Sequence, residues 1–137
     1  KINKKRSENS KYILKNLEKL RKPNSWFEPQ KEKDNIFHTY FWCPIRIKSK
    51  KISIDLVKNK LKKKGIEIRS RYKYPLYKQK VFQNLKNQKS QNYKKLYLKN
   101  SEELSGKIFG LPNHYKLTKK NLDYIHQTIQ RFLKNKN

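Results

Sequence analysis

The hydrophobic and polar positions of the chain follow two periods, and the change of period marks its first elements. Residues 1–20 carry apolar and small side chains along one side and cations opposite, which predicts an amphipathic helix. Residues 36–47 alternate as a strand does, and we expect one long strand covered on both faces. One face holds Phe37, Thr39, Phe41, Cys43 and Ile45, and the other holds His38, Tyr40 and Trp42. Between these elements we expect a polar loop, with Pro23 ending the helix and Trp26 and Phe27 folding back on the body.

A second helix begins at Ser53, a residue type that caps helices, and Asp55 in its first turn suits the helix dipole. Its inward positions repeat at helical spacing: Ile54, Val57 and Leu61. Gly65 directly follows the basic end of this helix, where a residue that tolerates positive φ is needed. We therefore expect the helix to end there.

A strand is expected next, because Ile66 and Ile68 alternate with polar residues. Pro75 has no amide hydrogen for a ladder, so pairing should end near Tyr74. Residues 36–77 therefore predict a β-α-β unit that ends in a proline corner. Such irregular surface segments are where binding residues are usually mounted.

Beyond the corner, residues 78–100 are polar and predict a loop region with a short helix or loop near 81–85, then a mobile stretch. Residues 101–108 predict a short helix stopped by Gly110, and Thr118 caps a final helix. The inward positions of that helix are Leu122, Ile125, Ile129 and Phe132. The expected fold is α+β, a two- to three-stranded sheet packed with three to four helices in one domain, residues 1–137, with terminal helices over 101–137.

Composition favours a folded domain, since 137 residues with nine Tyr, six Phe and two Trp can form a core. The single Cys43 excludes an intrachain disulfide and is expected to be a buried structural thiol, which fits a reducing cytosol. We find no signal peptide, and the most apolar run, 36–47, is too short to span a bilayer. We expect a cytoplasmic protein that does not enter membranes. Because the first residue is Lys1 and not Met, we expect a piece of a longer chain or a coding sequence that lost its start.

The net charge of +27 allows two interpretations. Such a field attracts polyanions non-specifically, and a β-α-β unit with exposed tyrosines could bind RNA or DNA. The other interpretation is compositional drift, because Lys greatly outnumbers Arg, Ala is absent and the cations are spread over the chain. The aromatic-glycine signature of an RNA-recognition motif is missing.

Catalytic chemistry is hard to assemble from these residues. The three histidines, His38, His114 and His126, show no metal-ligand spacing. We expect His38 to be buried and the other two to lie on the surface. No carboxylate pair suits acid–base catalysis, and the glycines form no phosphate-binding loop. We assign no catalytic, cofactor-binding or metal-binding residue, and the chain does not look like a complete enzyme.

Ordered sequence blocks nevertheless resemble one known family. They are Arg6 to Asn9 before Tyr12; Phe37-His38-Thr39-Tyr40-Phe41 ending in Ile45-Arg46-Ile47; Leu61 to Ile66 with Arg71-Tyr72; Pro75-Leu76-Tyr77-Lys78-Gln79; and Ile108 to His114 followed by Leu117 to Ile125. This order resembles the C-terminal small domain of the DegT/DnrJ/StrS family of pyridoxal-phosphate-dependent sugar aminotransferases, which have the type I fold of such enzymes. In that domain, residues 1–20 would be the connecting helix.

The resemblance implies that the cofactor-binding lysine, and pyridoxal phosphate itself, belong to a large N-terminal domain absent from this chain. It implies a complete enzyme that dimerises and acts on a nucleotide sugar in amino-sugar synthesis for surface polysaccharide. By resemblance, the substrate-binding residues are Arg71, Tyr72, Tyr77, Lys78, Gln79 and His38. Tyr77 stands where the family more often has His, and the corner could instead pack against the missing domain. The alternative function is that of a small basic RNA- or DNA-binding module.

Overall fold

The structure is a computed structural model that describes residues 1–22, 25–85 and 97–134. Its helices are α1 (Ile2–Lys19), α2 (Ile54–Lys62), α3 (Lys80–Leu85), α4 (Lys99–Leu104) and α5 (Lys119–Lys134), with a 3₁₀ turn at Leu76–Lys78. Its strands are β1 (Phe27–Pro29), β2 (Cys43–Ile47), β3 (Arg69–Ser70) and β4 (Ile108–Leu111). The expected α+β class is confirmed, and the sheet has one strand more than expected.

The four strands form a single sheet in the order β1-β2-β4-β3, with every neighbouring pair antiparallel. Both β2 and β3 run antiparallel to β4, so they are parallel to each other, and α2 joins them. The expected β-α-β unit is therefore split by β4, which comes from much later in the chain. Central register pairs are Phe27 with Ile47, Ile45 with Phe109, and Arg69 with Gly110.

One face of the sheet, which we call the inner face, lies against the helices. Opposed residues in a sheet share a face, and Phe27, Ile45, Ile47 and Phe109 are at most 2% exposed. They form one hydrophobic cluster with apolar residues of three helices: Ile13 and Leu17 of α1, Val57 and Leu61 of α2, and Leu122, Ile125 and Ile129 of α5. The inward positions expected for α2 and for most of α5 are thereby confirmed.

The ends of α2 follow the expected local chemistry. The Leu56 amide donates to Ser53 Oγ at 3.1 Å, which caps the helix. At the other end Gly65 has φ 70°. Its amide donates to the Lys62 carbonyl and the Ile66 amide donates to the Leu61 carbonyl, both at 2.9 Å, the bond pair of a Schellman motif.

The long strand expected over 36–47 is wrong, because regular pairing covers only Cys43–Ile47. Tyr40 is buried with φ 47°, and its amide donates to the His38 side chain at Nδ1, 3.0 Å away. This local turn competes with a strand ladder. As a result Phe37 and Phe41, expected on a covered face, are 62% and 69% exposed. His38, expected to be buried, is half-buried.

The helix expected over 101–108 forms only as far as Leu104, and its extension to Ile108 is wrong. α4 ends at Leu104, Gly106 turns the chain with φ 68°, and Ile108–Leu111 pairs on both sides as β4. The expected polar loop over 21–35 contains β1, because buried Phe27 pairs with the edge of β2. Trp26 and Phe27 pack on the body as expected, whereas Pro23 lies outside the described residues.

The strand after Gly65 is shorter than expected. Ile66 and Ile68 are buried in alternation with exposed Glu67, but ladder pairing is confined to Arg69–Ser70. Tyr72, with φ 59°, turns the chain before Tyr74 is reached. Downstream, a short helix forms at Lys80–Leu85, and the stretch expected to be mobile falls largely on residues 86–96, outside the described part.

The remaining local expectations give mixed results. The Asn121 amide donates to Thr118 Oγ1 at 3.3 Å, so Thr118 caps α5 as expected. His114 is exposed as expected, but His126 is half-buried, and its burial lowers its pKa. Cys43 is fully buried, and that burial raises the pKa of its thiol to about 12. Among the described helices, none has the length and apolarity needed to cross a bilayer.

Candidate functional site

The proline corner, defined as residues 71–79, extends from the end of β3 as a turn fixed at its centre. Pro75 is buried, and its carbonyl accepts from the Lys78 amide at 2.9 Å to form the 3₁₀ turn. Around this anchor the side chains of Arg71, Tyr72 and Gln79 are exposed. The corner is thus an ordered turn that presents several candidate substrate contacts to the outside.

Glu102 of α4 fastens the corner to the rest of the protein, in a group we call the Glu102 clamp: Tyr77, Lys78 and Glu102. The Tyr77 hydroxyl donates to Glu102 Oε1, and Lys78 Nζ lies 2.6 Å from Oε1 and 2.7 Å from Oε2. The Leu98 amide donates to the Tyr77 hydroxyl at 3.4 Å. Two of the candidate substrate-binding side chains, Tyr77 and Lys78, are therefore held by a carboxylate within the chain.

The electrostatics of the clamp follow from these contacts. Hydrogen bonding to Lys78 and then to Tyr77 lowers the pKa of Glu102, so its carboxylate stays charged below its ordinary range. The same bond raises the pKa of Lys78. Partial burial, followed by the bond to Glu102, raises the pKa of Tyr77. At neutral pH the clamp is an ion pair with a neutral phenol donating to it.

Trp42 supports the exposed part of the corner. Its ring lies against Gly110, where an added Cβ would come within 1.4 Å of Trp42 Nε1. It also contacts Tyr72 edge-on, with ring centroids 6.3 Å apart. The Tyr72 carbonyl also accepts from the Gly106 amide at 3.0 Å. Tyr72, 67% exposed, is thus held by one backbone hydrogen bond and by the contact of its ring with Trp42.

The importance of Trp42 was not predicted from the sequence. The sequence offered one signal for it, Gly110 within the apolar run Phe109-Gly110-Leu111. Glycine in a strand often marks the close approach of another group. Glu102 was not predicted either, because only the folded chain brings it to Tyr77, 25 positions earlier.

His38 is held apart from this group. Its Nδ1 accepts the Tyr40 amide, its ring lies 4.1 Å from the Tyr40 ring, and Nε2 is 3.4 Å from Gln30 Nε2. Within the described part of the chain, no hydrogen bond or ring contact joins His38 to residues 71–79. Five of the six candidate residues therefore lie in the corner, where Tyr77 and Lys78 share the partner Glu102, and His38 lies elsewhere.

The second face of the sheet, the outer face, continues beside Trp42. It carries Glu28, Arg46 and Ile108 in one cross-strand row, and Pro44, Gly110 and Arg69 in the next. Glu28 lies 3.5 Å from Arg46 Nη1 and 3.4 Å from Arg21 Nη1. An open pocket of about 370 Å³ occurs here, lined by Glu28, Pro29, Gln30, Lys31, Pro44, Arg46 and Ile108. Unlike the inner face, this face is charged and accessible.

The comparisons with known proteins agree with this architecture. The family model of the DegT/DnrJ/EryC1/StrS aminotransferases matches residues 1–130. The chain belongs to this family. No curated protein matches it by sequence.

Several solved aminotransferase structures have the same fold as this chain over nearly all of its length. One is Helicobacter pylori PseC, an aminotransferase involved in the biosynthesis of pseudoaminic acid, with 21% identity and a TM-score of 0.71 over 98% of this chain and 33% of its own. Another is the aminotransferase TlmJ from Streptoalloteichus hindustanus, with 14% identity and a TM-score of 0.74 over 98% of this chain and 32% of its own.

A third is the putative sugar aminotransferase Spr1654 from Streptococcus pneumoniae in its PMP form, with 18% identity and a TM-score of 0.70 over 98% and 31% of the two chains. The family member described here thus spans about a third of the length of the solved structures it matches.

The residues described here do not fit a pyridoxal-phosphate site. Such a site needs a lysine inside a pocket, but among lysines whose exposure the structure describes, only Lys107 is even half-buried and the others are exposed. The described residues also contain no group of His, Cys, Asp and Glu arranged to hold a metal ion. No catalytic step through the cofactor can be assigned to these residues.

Proposed function

We propose that this chain is the C-terminal small domain of a nucleotide-sugar aminotransferase and lines one side of its substrate cleft. The observation that carries the proposal is the family match over residues 1–130, a segment equivalent to about a third of the solved aminotransferases. In this proposal a large N-terminal domain holds pyridoxal phosphate and the catalytic lysine, and the complete enzyme is a dimer. Its product would be an amino sugar used for surface polysaccharide.

The surface composition supports an incomplete unit. The contact between the Trp42 and Tyr72 rings connects two of the segments that expose large apolar side chains. The exposed residues are Ile36, Phe37 and Phe41 in the first segment, and Tyr72, Tyr74 and Leu76 in the second. Exposed apolar surface of this kind usually marks an interaction site. A large domain would cover part of it and leave the rest facing the cleft.

We assign the substrate contacts to the exposed members of the corner. Arg71 can offer a planar pair of donors to a diphosphate, the chemistry for which arginine is suited. Tyr72 can pack its ring against a base or sugar and donate its hydroxyl. The Glu102 clamp would hold Tyr77 and Lys78 as the support of this surface, with Gln79 next to them. His38 would take part only if the large domain brings substrate to the 36–41 segment.

The first experiment is to read the DNA upstream of the coding region. An in-frame or adjacent reading frame for a pyridoxal-phosphate domain is the expected result, and flanking DNA without one contradicts the proposal. Titrating the isolated chain with pyridoxal phosphate should give no absorbance band of lysine-bound cofactor. A band traced to one of its lysines would overturn the placement of the cofactor site in another domain.

The second experiment uses the chain joined to that large domain. Arg71→Gln and Tyr72→Leu should raise KM for the nucleotide sugar about tenfold, roughly the loss of one charge-assisted or packing contact. Arg69→Gln, two residues earlier on β3 and also exposed, is the matched control and should change KM little. Equal effects of the three variants would show that the corner does not contact substrate.

A further inference from the structure

The positive charge of the protein is unevenly compensated. Within the described residues, the ion pairs formed by Glu8, Glu18, Glu28, Glu32 and Glu102 neutralise cations of α1, the 18–46 region and the corner. None of these pairs involves α2 or the turn that follows it. The cations are spread along the whole sequence. In the folded chain, however, the carboxylates that pair with cations lie outside α2 and the turn after it.

The exposed side of α2 is correspondingly dense in unpaired charge. We call it the α2 cationic face: Lys58, Lys60, Lys62, Lys63 and Lys64, all exposed. The one acidic residue of the helix, Asp55, lies in its first turn, at the far end from this cluster. Lys60 Nζ lies 5.1 Å from the centre of the Phe132 ring, so α5 borders the face. None of these five cations is in an ion pair within the described part of the chain.

We propose that the α2 cationic face binds the phosphate backbone of single-stranded nucleic acid. With a helical rise of about 1.5 Å per residue, Lys58 and Lys62 lie on the same side of α2 and about 6 Å apart along its axis. These two cations, with Lys63 and Lys64 in the turn beyond the helix, can each neutralise a phosphate of a bound strand. Lysine is a point charge without the fork geometry of arginine, so the face binds backbone without selecting sequence.

Two observations favour nucleic acid over an anionic membrane. Helices that lie in a membrane surface insert large apolar side chains, but no residue of α2 is among the exposed large hydrophobic residues. An exposed aromatic residue beside the face is Tyr124 of α5, 48% exposed, whose hydroxyl donates to the Lys64 carbonyl at 2.8 Å. A ring fixed beside a row of cations can stack an unpaired base.

This binding does not depend on the proposed aminotransferase role, because the α2 cationic face shares no residue with the corner or the outer face. The helices lie against the inner face of the sheet in a common core. Loss of RNA binding would leave the family assignment untouched, and failure to find a large domain would leave the RNA experiment valid.

The test measures binding of the purified full chain to a fluorescent oligouridine of about 20 nucleotides, by anisotropy between about 50 and 200 mM salt. The variant is Lys58→Gln, Lys62→Gln and Lys63→Gln combined. The control is Lys4→Gln, Lys15→Gln and Lys19→Gln combined, which removes three exposed cations from α1 and gives the same net charge. Circular dichroism checks that both variants fold.

We expect the α2 variant to bind at least about tenfold more weakly and its log–log salt slope to shrink by about 2, since each phosphate contact on a single strand contributes about 0.7. The control should bind within about twofold of the unaltered chain. Single-stranded DNA of equal length should behave like RNA.

Equal losses in the two variants would show that only net charge matters and would overturn the proposal. So would absence of binding by the unaltered chain at low salt. Anionic vesicles provide the remaining arm: α2-dependent binding to vesicles without binding to oligouridine would overturn the nucleic-acid assignment. If the α2 variant does not fold, chemical-shift changes on adding oligouridine to the unaltered chain must localise to 58–64, and a map elsewhere contradicts the proposal.

Discussion

The two faces of the sheet are built on the same four strands but have opposite surroundings. On the inner face Ile45, Ile47 and Phe109 are at most 2% exposed and lie under helices. On the outer face the residues next to them in sequence, Arg46 and Ile108, border an open pocket. Because the backbone ladder is common to both, the difference comes from what covers each face. The inner face contributes to the hydrophobic core. The outer face and the corner remain accessible at the surface.

The largest difference between the faces is expected in thiol reactivity. Burial raises the pKa of Cys43 to about 12. At pH 8 this leaves about a thousandfold less thiolate than a pKa of about 9 would. Cys43 should therefore react with Ellman's reagent only as the protein unfolds.

The matched probe moves the single thiol to the outer face, with Cys43→Ser and Ile108→Cys combined. This thiol should react within minutes under native conditions, because thiol–disulfide exchange is fast for an accessible cysteine. Similar native rates for both proteins would remove the distinction between the faces.

A second difference is expected in stability. Ile45→Ala removes a side chain 2% exposed from the inner face and should cost about 2–5 kcal/mol in the free energy of unfolding. Ile108→Ala, the same change on the half-buried outer side, should cost about 1 kcal/mol. Urea denaturation measures both costs. Equal costs would show that Ile108 on the outer face is buried as fully as Ile45.

The packing of Trp42 over the outer face gives a third test. Gly110→Ala places a methyl group where Trp42 Nε1 now lies, and should cost about 1–3 kcal/mol as an overpacking change. In a Trp42→Ala background the same change should cost much less, because the obstacle is gone. A double-mutant cycle by urea denaturation measures this coupling. Additive costs would contradict the close approach of Trp42.

The smallest effect concerns the Glu102 clamp and its pH dependence. The pKa of Glu102 is lowered in the folded chain, so the unfolded chain binds the proton more readily. The clamp's contribution is therefore complete above the ordinary glutamate pKa and is lost as pH falls through the lower folded value. Acidification should release the Leu98 amide and the Tyr77 ring, as followed by NMR.

Glu102→Gln should abolish this transition and leave the corner released at neutral pH. Glu103→Gln is the matched control, because Glu103 is half-buried and forms no ion pair within the described residues. A transition that persists in the Glu102→Gln protein would assign the pH dependence to another group.

The elements that depend on neighbours in sequence were predictable. Spacing and end residues located α1, α2 and α5, because caps such as Ser53 and the turn at Gly65 act within a few residues. The helix predicted to reach Ile108 gives way to β4, because the burial of Ile108–Leu111 comes from pairing with β2 and β3, strands about 40 to 65 residues earlier. Alternation over 36–42 predicted a covered strand, but the left-handed Tyr40 turns the chain instead.

The candidate site divides in the same way. Pro75 and the surrounding tyrosines marked the corner, since a proline ends a strand by its own covalent structure. Trp42 and Glu102 depend on contacts with Gly110 and Tyr77, which only the folded chain brings close. The substrate roles of the corner residues stay a prediction.

The most direct test of the central claim is hydroxyl-radical labelling of the chain, alone and joined to the proposed large domain. Trp42, Tyr72 and Tyr74 should lose reactivity on joining, because they lie on the outer face and corner. Tyr115 and Tyr124, also exposed in the isolated chain, should keep theirs. The account would be contradicted if Tyr115 and Tyr124 became protected on joining while Trp42, Tyr72 and Tyr74 stayed reactive.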